Sequence, residues 1–177
     1  MEIINSKDEY FRKINNLLKK NSEVKIATFN IYTGVLDDGR FVNDWGGKFF
    51  NNVGALFDTL TLKSCDVHIK VGVPRKSDCP LKNVDVFTKD GELIEDDCAV
   101  AKKDGKWDKR FEESKKRWKR IKFDTIENSH VKLVLISPNH CIFGGRNLSD
   151  SRDSDLSFYV SDNKLYKELL EIFDGIK

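Results

Sequence analysis

Two short apolar segments, separated by a turn, constrain the fold of this chain more than any other feature. Residues 129–136 form an apolar run that carries His130 and Lys132 near its start, residues 137–139 (Ser-Pro-Asn) have the composition of a turn, and residues 140–143 form a second apolar run. Side chains alternate across a strand, so His130 and Lys132 share one face of the first segment. The pattern predicts a β-hairpin that presents a histidine and a lysine side by side.

The polar residues on and after this hairpin have the chemistry of an anion site. Lysine brings a positive charge, and Asn147, which follows soon after a glycine pair, brings N–H donors. Gly144 and Gly145 allow the backbone to approach a ligand closely or to adopt positive φ angles. His130 is the one side chain of this set that can exchange protons or act as a nucleophile near neutral pH.

The spacing of these residues resembles the signature of the phospholipase D superfamily. That signature is histidine-x-lysine, four residues, aspartate, six residues, glycine followed by glycine or serine, x and asparagine. The chain departs from it at Ser137, where the family has the aspartate. In the family this aspartate mainly supports the hairpin, so the nucleophile and the phosphate ligands are retained. The matching residues are His130, Lys132, Gly144, Gly145 and Asn147.

The resemblance implies a mechanism. His130 attacks the phosphorus of a phosphodiester and forms a phosphohistidine, which water then hydrolyses. Lys132 and Asn147 hold the nonbridging oxygens and neutralise the charge that develops in the transition state. In the family an acidic residue soon after the asparagine orients the catalytic histidine, and Asp155 is the candidate here, with Asp153 as the alternative.

A second histidine must protonate the leaving oxygen, but the chain contains one copy of the motif. The resemblance to small single-motif endonucleases of the superfamily implies a homodimer, with His130 from both copies in one site at the two-fold interface. Lysine, asparagine and protonated histidine then do the electrostatic work that magnesium does in many nucleases, so we expect no metal ion and no other cofactor. The candidates for further substrate contacts are Gly144, Gly145, Arg146 and Ser149.

The resemblance implies an α/β fold, with residues 1–177 as one phospholipase D-like domain and a mixed central sheet flanked by helices, and the pattern of the rest of the chain fits an α/β class. A strand at 24–32, a helix at 49–60 and a strand at 67–73 have the order of a parallel crossover unit. The other predicted elements are a helix that begins at a capping box in residues 6–9, a strand at 84–87, a helix at 106–120, strands at 121–126 and 156–160, and a helix at 163–173.

Composition narrows the class of protein. A hydrophobic content of 39% and twelve phenylalanines exclude a disordered chain. No apolar run approaches the roughly 18 residues needed to span a membrane, and the first residues lack the pattern of a signal peptide. We therefore expect a cytoplasmic protein with no membrane partner and with its four cysteines reduced. A zinc set of Cys65, His68, Cys79 and Cys98 is an alternative that the uneven spacing argues against.

The charge of the chain is concentrated in one segment. Residues 102–122 contain eleven lysines and arginines and four acidic residues, although the net charge of the whole chain is only +2. This segment has two interpretations: a solvated helix face, or the contact for an acidic partner, which we take to be nucleic acid, with DNA favoured over RNA. Its aromatic residues Trp107, Phe111 and Trp118 are predicted to be core residues. The alternatives to an endonuclease are a phosphatidyl transferase or lipase of the same superfamily and an inert nucleic-acid-binding relative.

Overall fold

A mixed sheet of seven strands lies at the centre of the structure. The structure is a computed structural model, and it describes residues 1–29, 31–32, 52–73, 86–87, 93–94, 106–107, 111–112, 115–127, 129–149 and 155–176. The helices are α1 (Lys7–Leu17), α2 (Asn52–Leu62) and α3 (Asn163–Gly175). The strands are β1 (Glu2–Ile4), β2 (Glu23–Thr28), β3 (Ile31–Tyr32), β4 (Asp66–Val73), β5 (Val86–Phe87), β6 (Leu93–Ile94), β7 (Ile121–Glu127), β8 (Leu133–Ile136), β9 (His140–Gly144), β10 (Leu148–Ser149) and β11 (Ser157–Ser161).

The strand order in the central sheet is β1-β11-β9-β8-β2-β4-β7. Strands β2, β4 and β7 are parallel, and the remaining pairs are antiparallel. The predicted crossover is confirmed, because β2 and β4 are parallel neighbours joined through α2. Strand β10 also pairs with β3 in parallel, which holds the segment after the glycine pair against the segment after β2. The carboxyl ends of β2 and β4 therefore meet this segment at one edge of the sheet.

Helices cover both faces of the sheet. Helices α1 and α2 pack on one face, where Val134 and Ile136 belong to the same core as Ile14 and Phe57. Helix α3 packs on the other face, where the second core consists of Ala27, Leu133, Leu135, Cys141, Tyr166 and Phe173. The alternation predicted for the first strand of the hairpin is thus confirmed within β8. The described parts of the predicted basic helix contribute Phe111 and Trp118 to the first core, with exposures of 0% and 1%, so their prediction as core residues is confirmed.

The ends of α1 and α3 are held by polar contacts. The predicted cap of α1 is confirmed, since the Ser6 hydroxyl accepts a hydrogen bond from the Glu9 backbone N–H at 3.2 Å. Lys70, on β4, has an exposure of only 8% and donates to the carbonyls of Phe173 at 2.8 Å and Ile176 at 2.6 Å. Its charge compensates the negative end of α3, where the backbone carbonyls lack helical partners.

Three predicted boundaries are wrong. The strand predicted at 24–32 is interrupted after Thr28, and only Ile31–Tyr32 continue as β3. The strand predicted at 129–136 begins at Leu133, so His130 and Lys132 lie just before β8. In the predicted helix at 106–120, residues 116–120 form turns, because the Trp118 N–H bonds to the Lys115 carbonyl three residues back and Ile121 bonds to Trp118 in the same way.

Cys65 and Cys141 are buried free thiols, as expected for reduced cysteines. Burial raises the pKa of the Cys141 thiol to about 11. Two members of the zinc alternative, Cys79 and Cys98, lie outside the described residues, as do residues 49–51 of the second predicted helix. No helix in the described ranges has the length and apolar character needed to cross a membrane.

Gly72 is the point where the sheet meets the segments around His130. A β-carbon built there lies 2.4 Å from the Phe29 carbonyl oxygen and 2.7 Å from the Ser129 carbonyl oxygen. Both obstacles are backbone atoms, so neither can rotate away, and only a glycine allows this approach. Gly175, at the end of α3, has nothing within 4 Å of the same position.

We predict that Gly72→Ala destabilises the protein by about 1–3 kcal/mol, because the new methyl group forces the backbone around His130 to shift. The matched control, Gly175→Ala, is expected to stay within about 0.5 kcal/mol of the wild type. Urea unfolding followed by circular dichroism measures both. Equal unfolding midpoints for the two variants would contradict the close approach at Gly72.

Candidate active site

The residues of the signature lie together at the carboxyl edge of β2 and β4. His130 and Lys132 come from the segment before β8, and Asn147 comes from the segment between β9 and β10. The imidazole of His130 is exposed and stacks on the Phe29 ring, with 4.3 Å between ring centroids and 12° between ring planes. Phe29 is itself buried, with 8% exposure. One face of the histidine ring is therefore covered by a fixed aromatic side chain.

Asn147 is held by the end of β2. Its Oδ1 atom accepts hydrogen bonds from the Phe29 backbone N–H at 3.0 Å and from the Thr28 hydroxyl at 3.2 Å. A backbone N–H can only donate, so the oxygen and nitrogen of this amide are assigned unambiguously. The Thr28 hydroxyl in turn accepts from the Leu148 N–H at 3.1 Å. With its oxygen held by two donors, the Asn147 amide has its Nδ2 group to offer to a bound oxygen.

The same contacts explain why β2 ends at Thr28. The next backbone N–H, that of Phe29, donates to the Asn147 side chain instead of continuing the ladder of the sheet. The chain therefore bends at Phe29 and turns its ring under His130.

Lys132 interacts with both His130 and Asp155. Its Nζ atom donates to the His130 carbonyl at 3.0 Å. Burial lowers the pKa of Lys132, and the nearby negative charge of Asp155 raises it in part. The lysine is partly buried, so a bound anion would interact with its charge under weaker solvent screening than at an open surface.

The two glycines of the signature have different surroundings. Gly144 has a φ of 145°, and a β-carbon there would lie 2.6 Å from the Leu156 carbonyl oxygen. At Gly145 the same atom would be 3.4 Å from that oxygen and 3.5 Å from the Asp155 β-carbon. The Gly145 N–H donates to the Leu156 carbonyl at 2.8 Å. Gly144 is thus required by the backbone, whereas Gly145 keeps the segment that carries Asp155 close to the signature.

Arg146 does not face the solvent. Its exposure is 2%, and its guanidinium donates to the backbone carbonyl of Asp155. This burial does not fit the predicted contact with a substrate phosphate, because a side chain enclosed by the protein cannot reach a ligand outside it. Arg146 fixes the position of the Asp155 segment instead.

The predictions for the other site residues remain predictions. Asp155 lies beside Gly145 and acts electrostatically on Lys132, which brings it into the group, while its expected role in orienting His130 is untested. Ser149 lies in β10, where its backbone pairs with Tyr32. The alternative acidic residue, Asp153, lies outside the described residues.

Ser137, the departure from the signature, lies at the far end of β8. Five residues of extended chain separate it from Lys132, which corresponds to about 16 Å. The Ser137 hydroxyl accepts from the Glu23 N–H at 3.0 Å, and its own N–H donates to the Glu23 carbonyl at 3.0 Å. A serine thus supplies an acceptor that ties the hairpin to the start of β2, at a distance from the candidate catalytic groups.

The other two histidines of the chain are engaged elsewhere. The Nε2 atom of His68 lies 2.7 Å from an Asp124 carboxylate oxygen, and the Nδ1 atom of His140 lies 3.0 Å from the Tyr159 hydroxyl. His140 starts β9 at the end of the hairpin opposite His130. Within one copy of the chain, the group around His130 therefore contains a single histidine. In the described ranges, no three His, Cys, Asp or Glu side chains are grouped so that they could hold a metal ion.

Sequence reasoning missed Thr28, Phe29 and Gly72. The available signal was a hydroxyl and an aromatic residue at the end of a strand that the resemblance places beside the site. Thr28 and Phe29 depend on contacts with residues more than a hundred positions later in the chain, and Gly72 depends on Phe29 and Ser129, both far from it in sequence. No local pattern reveals such contacts.

Comparisons with known proteins support the fold. No protein-family model matches the chain, and no curated protein matches it. NucT from Helicobacter pylori superposes with a TM-score of 0.53 at 10% identity, over 99% of this chain and 93% of that one. Nuc from Salmonella typhimurium, a phospholipase D family member, gives a TM-score of 0.52 at 11% identity, over the same shares. The chain has a phospholipase D-like fold.

A larger protein contains the same fold. Polyphosphate kinase from Porphyromonas gingivalis superposes with a TM-score of 0.56 at 11% identity, over 99% of this chain. This chain spans 26% of the kinase, about a quarter of its length. At identities this low, the comparisons establish the architecture only, and the chemistry is argued from the residues of the site.

We predict that Thr28→Val destabilises the protein by about 1–3 kcal/mol, because it leaves the buried Leu148 N–H without its acceptor and removes one donor to Asn147. Valine has nearly the size of threonine, so a loss of stability in this variant would be caused by the missing hydroxyl. Thr28→Ser, which keeps the hydroxyl, is the matched control and should retain most of the stability. The free energy of unfolding in urea distinguishes them, and a valine variant as stable as the serine variant would contradict this network.

We also predict that Asp155→Asn lowers the pKa of Lys132. The substitution removes the negative charge that favours the ammonium form and leaves the burial that opposes it. Titration of the Lys132 side chain by NMR measures the pKa directly, without reference to activity. Asp174→Asn, the same change at an exposed position on α3, should leave that pKa unchanged. An unchanged Lys132 pKa in Asp155→Asn would show that the two charges are not coupled.

Proposed function

We propose that the protein is a phosphodiesterase of the phospholipase D type, and specifically a metal-independent endonuclease that cleaves DNA. The observation that carries the proposal is the grouping of His130, Lys132 and Asn147 at one edge of the sheet. Phe29 links two of them, because it stacks on the histidine and donates to the asparagine, and the Lys132 ammonium donates to the His130 carbonyl. The phospholipase D-like fold supports it independently of the signature.

In the proposed first step His130 attacks phosphorus, a new N–P bond forms, and the bond from phosphorus to the leaving oxygen breaks. Lys132 and the Nδ2 group of Asn147 hold the nonbridging oxygens, where negative charge develops. In the second step water attacks the phosphohistidine and releases the free enzyme. Gly144, Gly145 and Ser149 are proposed to contact the substrate.

The leaving oxygen needs a proton from a second histidine. We propose that His130 of a second copy supplies it and later accepts a proton from the attacking water, in a homodimer with one shared site. The engagement of His68 with Asp124 and of His140 with Tyr159 supports this assignment, because neither lies beside His130. General acid catalysis of this kind contributes roughly 10²–10⁴-fold to the rate.

A nucleic-acid substrate is favoured by charge. The basic segment at 102–122 suits a phosphate backbone, and binding to it would weaken steeply with salt. Lysine, asparagine and a protonated histidine supply the positive charge and the donors that phosphoryl transfer requires, so the proposed reaction has no step that needs a metal ion.

The test compares wild type with His130→Ala on plasmid DNA, single-stranded DNA and RNA, all in the presence of EDTA. We expect the wild type to cut DNA and His130→Ala to lose at least about a hundredfold in rate. His140→Ala is the matched control, since it removes a histidine at the other end of the hairpin and should leave cutting intact. Equal cleavage by wild type and His130→Ala, or cleavage that EDTA abolishes, would contradict the proposal.

A heterodimer tests the shared site. Co-expression of the wild type with His130→Ala under two different affinity tags yields a heterodimer in which one copy keeps His130. We expect its rate to be close to that of the His130→Ala homodimer, because each turnover needs His130 from both copies. A half-active heterodimer would show that each copy works alone.

Two other assays test the alternative functions. Release of a headgroup from liposomes would favour the phosphatidyl transferase, and binding of DNA without cleavage would favour the inert relative.

A further inference from the structure

A second cationic surface lies at the end of the sheet opposite His130. Strands β2, β4 and β7 are parallel, so the three connections that lead into them emerge at one end. These connections are residues 18–22, 63–65 and 115–120. We refer to their exposed cations as the basal surface: Lys19, Lys20, Lys116, Lys119 and Arg120.

The three connections are held together around Cys65. The Cys65 thiol contacts the Lys19 carbonyl, with 3.6 Å between sulfur and oxygen. The Asn21 N–H donates to the Lys63 carbonyl at 2.9 Å, and the Lys63 ammonium donates to the Leu18 carbonyl at 2.6 Å. The third connection lies beside the second, because Ile121 at the start of β7 pairs with Val67 on β4. Burial raises the pKa of the Cys65 thiol, and the charges of Lys63 and Arg120 lower it. The cations are thus gathered at one end of the sheet.

The charge of this surface is not neutralised within the described part of the chain. Four lysines elsewhere form close ion pairs: Lys13 with Glu2 at 2.6 Å, Lys25 with Glu23 at 2.9 Å, Lys115 with Glu112 at 2.8 Å and Lys122 with Asp124 at 2.9 Å. In contrast, the five side chains of the basal surface are exposed and form no ion pair with any described residue. A group of exposed like charges raises the energy of the folded chain unless an anion binds there.

We propose that the basal surface is a second nucleic-acid contact, which binds the phosphate backbone of a substrate whose cleaved bond lies at His130. The inference rests on the proposed nuclease function. Strand β4 separates the two sites, and its length from Asp66 to Val73 corresponds to about 23 Å. At 3.4 Å per base pair, the basal surface reaches DNA about seven base pairs from the site of cleavage.

The geometry favours a nucleic acid over an acidic protein. A phosphate backbone carries regularly spaced charges that reach both ends of the sheet in one continuous molecule. Lysine and arginine in surface turns bind phosphates without reading the bases, so the basal surface should add affinity without sequence preference.

The affinity for DNA is measured in variants that also carry His130→Ala, so that the measurement does not depend on cleavage. The test variant is Lys116→Gln/Lys119→Gln/Arg120→Gln, and the control is Arg12→Gln/Lys164→Gln/Lys167→Gln, which removes the same charge from exposed positions on α1 and α3. For a 30-base-pair duplex, the slope of log K against log salt should become shallower by about 1–3 in the test variant, with a loss of about tenfold or more in affinity at low salt. The control should change the slope by less than 1. Circular dichroism verifies that both variants are folded.

Substrate length provides the second readout. With His130 intact, the test substitutions should raise KM for the 30-base-pair duplex and leave kcat unchanged, whereas KM for a duplex of about six base pairs should not change. Test and control variants that bind the long duplex equally would overturn the proposal. The proposal would also be overturned if the test variant lost its binding to polyglutamate but bound DNA as the wild type does, because that result would indicate an acidic protein partner. If His130→Ala has no effect on cleavage, the nuclease proposal fails, while the salt slopes still decide whether the basal surface binds DNA.

Discussion

The hydrogen bonds received by the Asn147 amide oxygen tie the two halves of the candidate site together. They join the end of β2 to a segment 118 residues later in the chain. Without them the Phe29 N–H and the Thr28 hydroxyl would need other partners in a largely buried place, at a cost of about 1–3 kcal/mol each. One side chain therefore ends a strand, bends the chain under His130 and is itself fixed in orientation.

The sheet supplies the rigidity that this arrangement needs. Phe29, Ser129 and Gly72 meet with backbone atoms so close that no β-carbon fits between them, which leaves the ring under His130 little freedom. Arg146, enclosed by the protein, holds the carbonyl of Asp155 from the inside. The exposed face of the site thus consists of a few polar groups on a support that is fixed by packing and hydrogen bonds.

Elements with a strong periodic pattern could be predicted from the sequence. The cap at Ser6 and the alternation in β8 follow from residues close together in the chain. The parallel pair of β2 with β4 follows from the order of a strand, a helix and a strand. The grouping of the signature residues was also predictable, because their spacing resembles a known family. The break at Thr28 and the burial of Arg146 were not, since both depend on partners that only the folded chain brings near. The helix predicted at 106–120 fails at its end because a pattern of apolar spacing does not distinguish helix from successive turns.

The order of strands has a consequence for the synthesis of the protein. Strand β8 lies in the middle of the sheet, next to β2, although it comes from the last third of the sequence. A growing chain that has reached the end of β7 can form its parallel pairs but lacks His130, Lys132 and Asn147. The candidate site can form only once the late hairpin is paired with the first core strand, β2. Completion of the central sheet and assembly of the candidate site therefore depend on the same residues.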